Sequence, residues 1–471
     1  EKMSYMIEQM QAIFRPRTVA VVGAPRSFKP GLVFLQALMD PGFKGKVFPI
    51  NPKADEILGL KSYPSVSAVP EEVDLAIVLV GIEQSMEVIR DCARKKVKAA
   101  VVFTSGFAET GDPAGMKRES EMVAAARAGN LRLVGPNCMG VYCPESGLAF
   151  FPSMPSISGT LAFVSQSGSM GAFVVLMATL RGIALSKIVS IGNECDLSSG
   201  DFIDYLAGDE KTKVITAYLE GTRDGRALLR ALKKASFRKP VIIWKSGATK
   251  AGARAVASHT GSMAGSDEVW DSVLRQAGAI RAHGVEEMMD IAAAFHYMPE
   301  ASGRRVAIIS GPGGPAVAAA DSLERGGLRL AELHENTIKQ LRAFVPQSGA
   351  SFNNPVDLGV APWGIITLYS DTLRIVDEDE NVDATILIGG GISPSGQQEY
   401  LDLMVELKPK LTKPCMLISM AGFTGDTEFC ARLQSAGYPL YTDPEKALAA
   451  YSKVVGYREW KKRVSEDPVP A

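Results

Sequence analysis

Short runs of apolar residues alternate with helix-length segments along the first third of the chain. The apolar runs predict strands at 19–23, 47–50, 75–80, 99–103 and 132–134. The segments between them, such as 84–95 and 117–128, predict helices. This alternation predicts an α/β fold with a doubly wound parallel sheet. The apolar runs are continuous, which is expected for strands that are covered on both faces.

The alternation of strands and helices continues along the rest of the chain, in two further predicted domains. A segment rich in Pro, Ser and Gly at 144–158 predicts a linker. The strands predicted after it lie at 160–164, 187–190, 214–219, 241–244, 305–309, 384–388 and 415–418. The segments LAFVSQSGSMG and VAIISGPGGPA share a strand, a Gly-containing turn and a helix start. This repeat favours two related flavodoxin-like units, although many α/β proteins contain such a turn.

The length and the net charge of the chain indicate how many domains it has and which classes of partner it lacks the charge to bind. A chain of 471 residues suggests roughly three domains, and the pattern predicts their bounds at 8–145, 156–300 and 303–460. The net charge of −1 provides no basic excess for binding nucleic acid or an anionic membrane. Any anion site in this chain is therefore expected to be local.

Cysteine and histidine usage argues against metal and disulfide chemistry. The chain has six cysteines without a CxxC pair and only four histidines, so neither a structural zinc site nor a disulfide framework is expected. No metal ligand is predicted. The first residues lack the apolar core of a secretory signal, and no run approaches a membrane span. We therefore expect a cytoplasmic protein.

The first predicted strand runs into a turn composed of Gly23, Ala24, Pro25, Arg26 and Ser27. A turn that precedes a helix offers an anion backbone N–H groups and the positive end of the helix dipole. Pro25 occupies the place of the second glycine of a GxGxxG fingerprint, and Lys53 lies where a nicotinamide site needs an acidic residue. Pro25 leaves the fingerprint incomplete, and Lys53 suits a ligand that carries an additional phosphate. A surface turn with an incidental lysine explains the segment equally well.

Two further turns follow predicted strands, where α/β proteins bind ligands. Residues 104–109 include Ser105 and Gly106, and residues 135–140 include Asn137 and Cys138. Cys138 has the chemistry of a nucleophile, but the first 250 residues contain no histidine that could activate it. We therefore expect Cys138 to be a small packed residue.

The segment 245–265 carries the clearest chemical signal. It follows the predicted strand 241–244, precedes a helix predicted near 267–276 and is rich in Ala, Gly and Ser, so we predict a long mobile loop with a function. Its imidazole, His259, lies between two hydroxyl residues that suit a phosphate, and a neutral imidazole accepts a phosphoryl group near pH 7. A lone histidine is usually structural, and the remaining three, His283, His296 and His334, are interpreted so.

A phosphorylated histidine needs a carboxylate at its other ring nitrogen and a site for the phosphate oxygens. Glu220 follows the strand 214–219 and is the candidate carboxylate, although a surface glutamate at a strand end is common. Turns at two helix starts are the candidate phosphate sites. They consist of Ser165, Gln166, Ser167 and Gly168 in the second predicted domain, and of Ser310, Gly311, Gly313 and Gly314 in the third.

Together these segments resemble the α subunit of NDP-forming acyl-CoA synthetases, the ADP-forming acetyl-CoA synthetase group of the succinyl-CoA synthetase superfamily. SHTGSMAG is the specific motif, and GPNCMG, SQSGSMG, GNECDLSSGDFIDYL, YLEG and NPVDLG support it in the expected order. The resemblance covers about residues 8–460. It implies a Rossmann-like CoA-binding domain followed by two flavodoxin-like domains of the succinyl-CoA synthetase type.

The resemblance also implies roles for the candidate residues. CoA would be bound by the first domain, through Gly23, Ala24, Pro25, Arg26, Ser27, Asn51, Lys53, Ser105, Gly106 and Asn137. His259 would be phosphorylated and Glu220 would orient it. An acid–thiol ligase of this type converts acyl-CoA, phosphate and a nucleoside diphosphate into a carboxylate, CoA and a nucleoside triphosphate, reversibly, through an acyl phosphate and phosphohistidine.

A nucleotide-binding ATP-grasp domain is not found in the sequence. The resemblance therefore implies a separate β subunit that binds ADP or ATP with Mg²⁺, in an α2β2 assembly. Its substrates would be a small carboxylic acid or its acyl-CoA. One departure lies at Ser310, where this family often has an asparagine, and it weakens the second phosphate turn.

Three other functions stay open at this point. A CoA transferase would need neither phosphate nor nucleotide. A non-catalytic acyl-CoA-binding regulator would not need His259, so the intact SHTG motif argues against it. A nicotinamide-dependent dehydrogenase is opposed by Pro25 and Lys53.

Overall fold

The structure is a computed structural model that describes residues 2–25, 30–40, 42–260, 265–311, 313–347, 349–419 and 427–466. Three parallel-type sheets follow one another along the chain. The chain forms two compact units, one of residues Glu1–Ala178 and Ile183–Val285, the other of Thr179–Gly182 and Glu286–Ala471. The first unit contains two of the sheets and the second unit contains the third.

The first sheet has the strand order β2-β1-β5-β6-β7 and is parallel throughout. Strands β3 and β4 form a small antiparallel hairpin beside it. The strands are β1 (Thr18–Val22), β2 (Lys46–Ile50), β3 (Glu56–Ile57), β4 (Leu60–Lys61), β5 (Leu75–Val78), β6 (Ala99–Val102) and β7 (Arg132–Val134). The helices are α1 (Lys2–Phe14), α2 (Pro30–Met39), α3 (Ile82–Arg94) and α4 (Pro113–Ala128), with a 3₁₀ turn at Ala108–Thr110.

The second sheet has the order β13-β12-β11-β9-β10-β8, in which only the edge strand β8 is antiparallel to its neighbour. The strands are β8 (Gly140–Tyr142), β9 (Leu161–Ser165), β10 (Leu185–Ser190), β11 (Val214–Leu219), β12 (Val241–Lys245) and β13 (Ile280–Ala282). The helices are α5 (Met170–Thr179), α6 (Ser199–Gly208), α7 (Gly225–Arg238), α8 (Lys250–Thr260) and α9 (Asp267–Ala277).

The second unit is built on the order β15-β14-β17-β18-β19, and β16 also pairs with β14. The strands are β14 (Arg305–Ser310), β15 (Arg329–Leu330), β16 (Val356–Asp357), β17 (Ala384–Gly389), β18 (Cys415–Ser419) and β19 (Leu440–Tyr441). The helices are α10 (Val285–Tyr297), α11 (Gly313–Arg325), α12 (Glu335–Phe344), α13 (Thr367–Asp377), α14 (Pro394–Leu407), α15 (Thr427–Ala436) and α16 (Pro444–Glu466), with 3₁₀ turns at Ala361–Trp363 and Lys408–Lys410.

Burial explains why the apolar runs form strands. Every residue of β5, β6, β9, β10 and β17 is buried, because helices cover both faces of these sheets. The predicted strands are confirmed to within two residues at each end. The six cysteines are free thiols in this structure. Within the described part of the chain, no helix has the length and apolar character needed to cross a membrane.

A buried ion pair fixes the end of α6 against the second sheet. The Nζ of Lys187 in β10 donates to Asp209 Oδ2 at 2.7 Å, and the Lys187 side chain is only 1% exposed. Asp209 also accepts from the Thr212 hydroxyl at 2.7 Å and from Arg15 at 3.3 Å. Burial alone would raise the pKa of Asp209, but the hydrogen bonds from Lys187 and Thr212 outweigh it and lower that pKa. The carboxylate therefore stays charged in the core because it has several donors.

Replacing Lys187 by Met should lower the free energy of unfolding by about 3 kcal/mol, since Asp209 keeps its charge but loses its nearest cation. Chemical denaturation measures this change. The exposed Lys213→Met variant, from the same sheet region, is the matched control and should unfold like the unaltered protein. Equal stability of the two variants would contradict the role of the buried pair.

Candidate functional site

The carboxyl edge of the first sheet brings most of the described candidate CoA contacts together. Gly23 and Ala24 follow β1, Asn51 follows β2 and Ser105 follows β6, at one edge because these strands are parallel. Asn51 Nδ2 donates to the Ala24 carbonyl at 2.8 Å and thereby ties the first two turns together. The backbone N–H of Lys53 donates to Asn51 Oδ1 at 2.9 Å, while its side chain is exposed. Arg26 and Ser27 lie outside the described residues.

Glycine is required at Gly23, because its φ is +90° and a Cβ there would lie about 3.2 Å from the Leu79 and Val80 backbone. The turns after β6 and β7 also lie close together, because the N–H of Asn137 donates to the Thr104 carbonyl at 2.9 Å. Pro25 is partly exposed beside Ala24. The edge therefore presents mainly backbone groups, with Ser105, Lys53 and Pro25 reaching solvent.

Cys138 is packed, as predicted. The residue is 3% exposed, and its thiol donates to the Val102 carbonyl at 3.4 Å. Burial raises the pKa of this thiol to about 12. A thiol with this pKa is almost wholly protonated near pH 7 and is a poor nucleophile.

Glu220 lies at the carboxyl end of β11, as predicted, and is only 2% exposed. Its Oε1 accepts from the Tyr218 hydroxyl at 3.1 Å. Burial raises the pKa of Tyr218 to about 12, so the phenol remains a donor. Glu220 is therefore a buried carboxylate with an oriented donor rather than a surface glutamate.

Lys245 ends the neighbouring strand β12 and was missed by the sequence analysis. It is 4% exposed, and its Nζ contacts the Ser246 carbonyl. Burial lowers the pKa of Lys245, while the charge of Asp267 and, to a smaller extent, that of Glu220 oppose this effect. Its Nζ also lies 5.4 Å from the centre of the Trp270 ring. A charged residue directly after an apolar run was the signal in the sequence for both Glu220 and Lys245.

The prediction of a long loop at 245–265 was wrong, because residues Lys250–Thr260 form helix α8. The segment holds four alanines, the residue with the highest helix propensity, and helix formation satisfies its backbone groups. The hydroxyl of Thr249 caps the helix by accepting from the Gly252 N–H at 3.0 Å. His259 lies in the last turn of α8; its side chain and residues 261–264 are outside the described part of the structure.

Helix α8 lies beside the 3₁₀ turn Ala108–Thr110 of the first domain. Only Phe107 separates that turn from Ser105 and Gly106 at the candidate CoA edge. The backbone of His259 is thus carried by a helix that contacts the turn next to the candidate CoA edge.

Ser165 ends β9, and the turn that follows contains Gln166, Ser167 and Gly168, as predicted. The hydroxyl of Ser165 donates to the Ser167 carbonyl at 2.7 Å, and Gln166 is 7% exposed with its amide bound to protein groups. Gly168 is partly exposed, and Ser169, which the sequence analysis missed, is exposed at the start of α5. An anion would therefore meet Gly168, Ser169 and the first turn of α5 rather than the side chain of Gln166.

The second predicted turn lies in the other unit, between β14 and α11. Ser310 ends β14, Gly311 follows it, and Gly313 and Gly314 begin α11, while Pro312 is outside the described residues. Asp357 Oδ2 would lie 2.7 Å from a Cβ at Gly313, so a carboxylate already faces the start of α11. A phosphate here would meet like charge, which makes this turn a less favourable anion site than the start of α5.

A cavity of about 700 Å³ opens between α4 and two loops, residues 192–195 and 221–223. Glu194 lies in its wall and is 5% exposed. Burial raises the pKa of Glu194 to about 7, against the lowering effect of hydrogen bonds from Ser199 and Gln166 and of the Arg223 charge. The cavity gives a small molecule access to the turn that carries Glu220.

Comparison with known proteins assigns the family. Residues 17–144 match the model of a CoA binding domain, 158–295 that of a succinyl-CoA ligase like flavodoxin domain, and 306–447 that of a Ligase-CoA domain. The α subunit of ADP-forming acetate–CoA ligase II from Pyrococcus furiosus is 38% identical over 448 residues, which are 94% of this chain and 96% of that one. The chain belongs to the family of ADP-forming acyl-CoA ligases.

Other members of this ligase family agree. ADP-forming acetate–CoA ligase I of Archaeoglobus fulgidus is 39% identical over 97% of this chain, which spans only 65% of that longer protein. The solved structure of a dinucleotide-forming acetyl-coenzyme A synthetase 1 from Ca. Korarchaeum cryptofilum, in complex with phosphate and ADP, is 35% identical. It has a TM-score of 0.88 and covers 98% of this chain and 100% of that chain.

Membership of the ADP-forming ligase family confirms the predicted α/β class, with a CoA-binding domain followed by two succinyl-CoA-ligase-type domains. The relatives are acid–thiol ligases, so neither a nucleotide-independent transferase nor a non-catalytic regulator is favoured. The predicted domain bounds and the roles of individual site residues remain predictions.

The raised pKa of Glu194 gives a pH prediction. A carboxyl whose pKa is higher in the folded than in the unfolded chain stabilises the fold below its unfolded pKa, and this stabilisation is lost as pH rises to about 7. The free energy of unfolding of the unaltered protein should therefore fall relative to Glu194→Gln between pH 4.5 and 7, by about 3 kcal/mol. Denaturation at both pH values measures the difference.

The exposed Glu121→Gln variant on α4 is the control for this pH series, because its carboxyl faces solvent. Its stability difference from the unaltered protein should be constant with pH. A constant difference for Glu194→Gln as well would contradict the assignment of a proton to buried Glu194.

Proposed function

We propose that this chain is the CoA-binding and phosphohistidine-carrying part of an NDP-forming acyl-CoA synthetase, with His259 as the phosphorylated residue. The observation that carries the proposal is that α8, which contains His259, lies beside the 108–110 turn next to the candidate CoA edge. Thioester chemistry and phosphoryl transfer can then share one region of the molecule.

CoA would lie along the carboxyl edge of the first sheet. The backbone at Gly23, Ala24 and Pro25 supports this position, since a backbone without large side chains accepts a close ligand. Lys53 is exposed at this edge and would pair with a phosphate of CoA. Asn51 would hold the first turn in place, and Ser105, Gly106 and Asn137 would line the path towards the thiol.

The reaction would begin when a phosphate oxygen attacks the thioester carbonyl. The new C–O bond replaces the C–S bond, so CoA leaves as its thiolate and an acyl phosphate remains. A ring nitrogen of His259 would then attack the phosphorus, and the P–O bond to the acyl group breaks to release the carboxylate. The phosphoryl group would finally pass to the terminal phosphate oxygen of a nucleoside diphosphate. Each step is reversible, so the same residues serve acyl-CoA synthesis.

Glu220 would accept a hydrogen bond from the second ring nitrogen of His259 and so fix its orientation and raise its basicity. Its burial and its contact with the Tyr218 hydroxyl support this role, because an oriented carboxylate fixes the ring better than a mobile one. The phosphate oxygens would be held by Ser167, Gly168 and Ser169 at the start of α5. Ser310, Gly311, Gly313 and Gly314 belong to the second compact unit, and their contacts with phosphate stay a prediction.

The nucleotide would be bound by an ATP-grasp module, as ADP or ATP with Mg²⁺. Relatives named as α subunits support a separate β subunit, since this chain matches 96% and 99% of two such proteins. We propose an α2β2 assembly whose substrate is a small carboxylic acid or, in the reverse direction, its acyl-CoA.

Incubation of the assembled enzyme with labelled ATP should give an acid-labile, base-stable label that maps to His259. His259→Ala should abolish the label and the nucleotide-dependent turnover but leave CoA affinity unchanged, because His259 is not among the residues proposed to bind CoA. The exposed His283→Ala variant is the control and should be labelled normally. Labelling that persists in His259→Ala would refute the phosphohistidine assignment.

Lys53→Ala should weaken CoA binding roughly tenfold, as expected for loss of one charge-assisted contact. It should weaken binding of dephospho-CoA much less if Lys53 meets the 3′-phosphate. Calorimetry with the two ligands measures the difference, and Lys61→Ala in the nearby hairpin is the control. An equal loss for both ligands would exclude this contact.

A further inference from the structure

The side chain of Gln166 holds the turn that carries Glu220. Its Oε1 accepts from the backbone N–H of Glu220 and, at 3.1 Å, from that of Gly221. Its Nε2 donates to the Gly221 carbonyl at 3.0 Å. Three hydrogen bonds from one amide thus fix the backbone on both sides of the peptide between Glu220 and Gly221.

Glu194 in turn holds Gln166. Its Oε1 accepts from Gln166 Nε2 at 3.0 Å and from the N–H of Ser199 at 3.2 Å. Ser199 begins α6, whose capping box is formed by Ser198 and Asp201. One oxygen of Glu194 therefore joins a stable helix start to the amide that clamps the 220–221 turn.

The backbone of Glu194 is held in an uncommon conformation. Its φ is +53°, in the left-handed region that a glutamate rarely adopts. The flanking N–H groups of Asn193 and Cys195 donate to the carbonyls of Pro136 and Gly135 at 3.0 and 3.1 Å. The loop of residues 191–195, here called the bridging loop, is thus fixed to the candidate CoA edge, and strain of this kind points to a function of the residue that bears it.

Charged groups approach the bridging loop from two other elements. Glu119 on α4 accepts from Arg223 Nη2 at 2.7 Å, and Asn193 Nδ2 donates to Glu119 at 2.9 Å and to Glu109 at 2.5 Å. Arg223 follows the 220–221 turn, so its ion pair restrains the same turn from its other end. The Glu194 clamp and this ion pair are separate contacts.

We propose that Glu194 is a positioning residue for the acyl-CoA ligase reaction: acting through Gln166, it fixes the turn at 220–221 and hence the carboxylate that orients His259. The inference rests on the proposed function of Glu220. Glu194 needs only a carbonyl-type acceptor for this role, because the oxygen that it uses accepts two N–H donors and donates nothing. Glutamine supplies that oxygen in the same place, whereas alanine leaves Gln166 Nε2 without it.

Hydrogen exchange at the Glu220 and Gly221 amides tests the clamp without reference to catalysis. In Glu194→Ala both amides should exchange at least roughly tenfold faster, because Gln166 loses its anchor. Glu194→Gln should restore protection. Gln166→Glu keeps the size of the side chain but cannot donate, so it should also accelerate exchange. Glu121→Gln on α4 is the control and should leave both amides protected. Unchanged exchange in Glu194→Ala and in Gln166→Glu would overturn the proposal.

Phosphorylation in the assembled enzyme tests the positioning. Glu194→Ala should slow labelling of His259 by roughly 10-fold or more, in the range known for residues that orient a functional group, with the KM for CoA little changed. Glu194→Gln should recover the rate. Faster exchange with an unchanged labelling rate would overturn the positioning role. Absence of label in the unaltered enzyme would overturn the proposed function and this role together, and the exchange result tells the two cases apart.

Discussion

The bridging loop at 191–195 is the constraint on which the site in the first unit depends. Its backbone donates to Gly135 and Pro136 on the first domain, while Ile191 donates to the Ser165 carbonyl of the second sheet at 2.8 Å. A Cβ at Gly192 would overlap the Pro136 carbonyl, so only glycine permits this approach. The turn beside the candidate CoA edge and the turn beside α5 are therefore held by one short segment, so a shift of either turn would strain the hydrogen bonds of the other.

Electrostatics distinguish the two candidate phosphate turns. The start of α5 offers Gly168 and exposed Ser169, whereas the start of α11 already faces the Asp357 carboxylate. Helix dipoles favour an anion at both places, but a neighbouring carboxylate offsets that effect at α11. In the first unit, buried Glu119 forms an ion pair with Arg223 and accepts a hydrogen bond from Asn193, so its negative charge is paired within the protein.

The main features of the fold were predictable because they are local. Continuous apolar runs marked the strands that helices bury, and GPNCMG, SQSGSMG and YLEG marked the turns at their carboxyl ends. Helix α8 was missed because the segment's Gly and Ser residues suggested a loop, whereas its alanines and the Thr249 cap favour a helix. Local composition was ambiguous there, and the backbone hydrogen bonds decided the outcome.

The sequence by itself determined the fold class and the family, and it indicated Glu220 and His259 as candidate site residues. Only the tertiary structure decided which polar side chains form hydrogen bonds with other groups of the protein, because those contacts join residues far apart in sequence. Gln166 suggested a phosphate ligand, but it is bound to Glu194, Glu220 and Gly221 across two strands and a loop. Glu194 lies in the motif GNECDLSSGDFIDYL, but no role was predicted for it, since a carboxyl takes its pKa and its role from burial and hydrogen-bond partners, which follow from packing rather than from residue type.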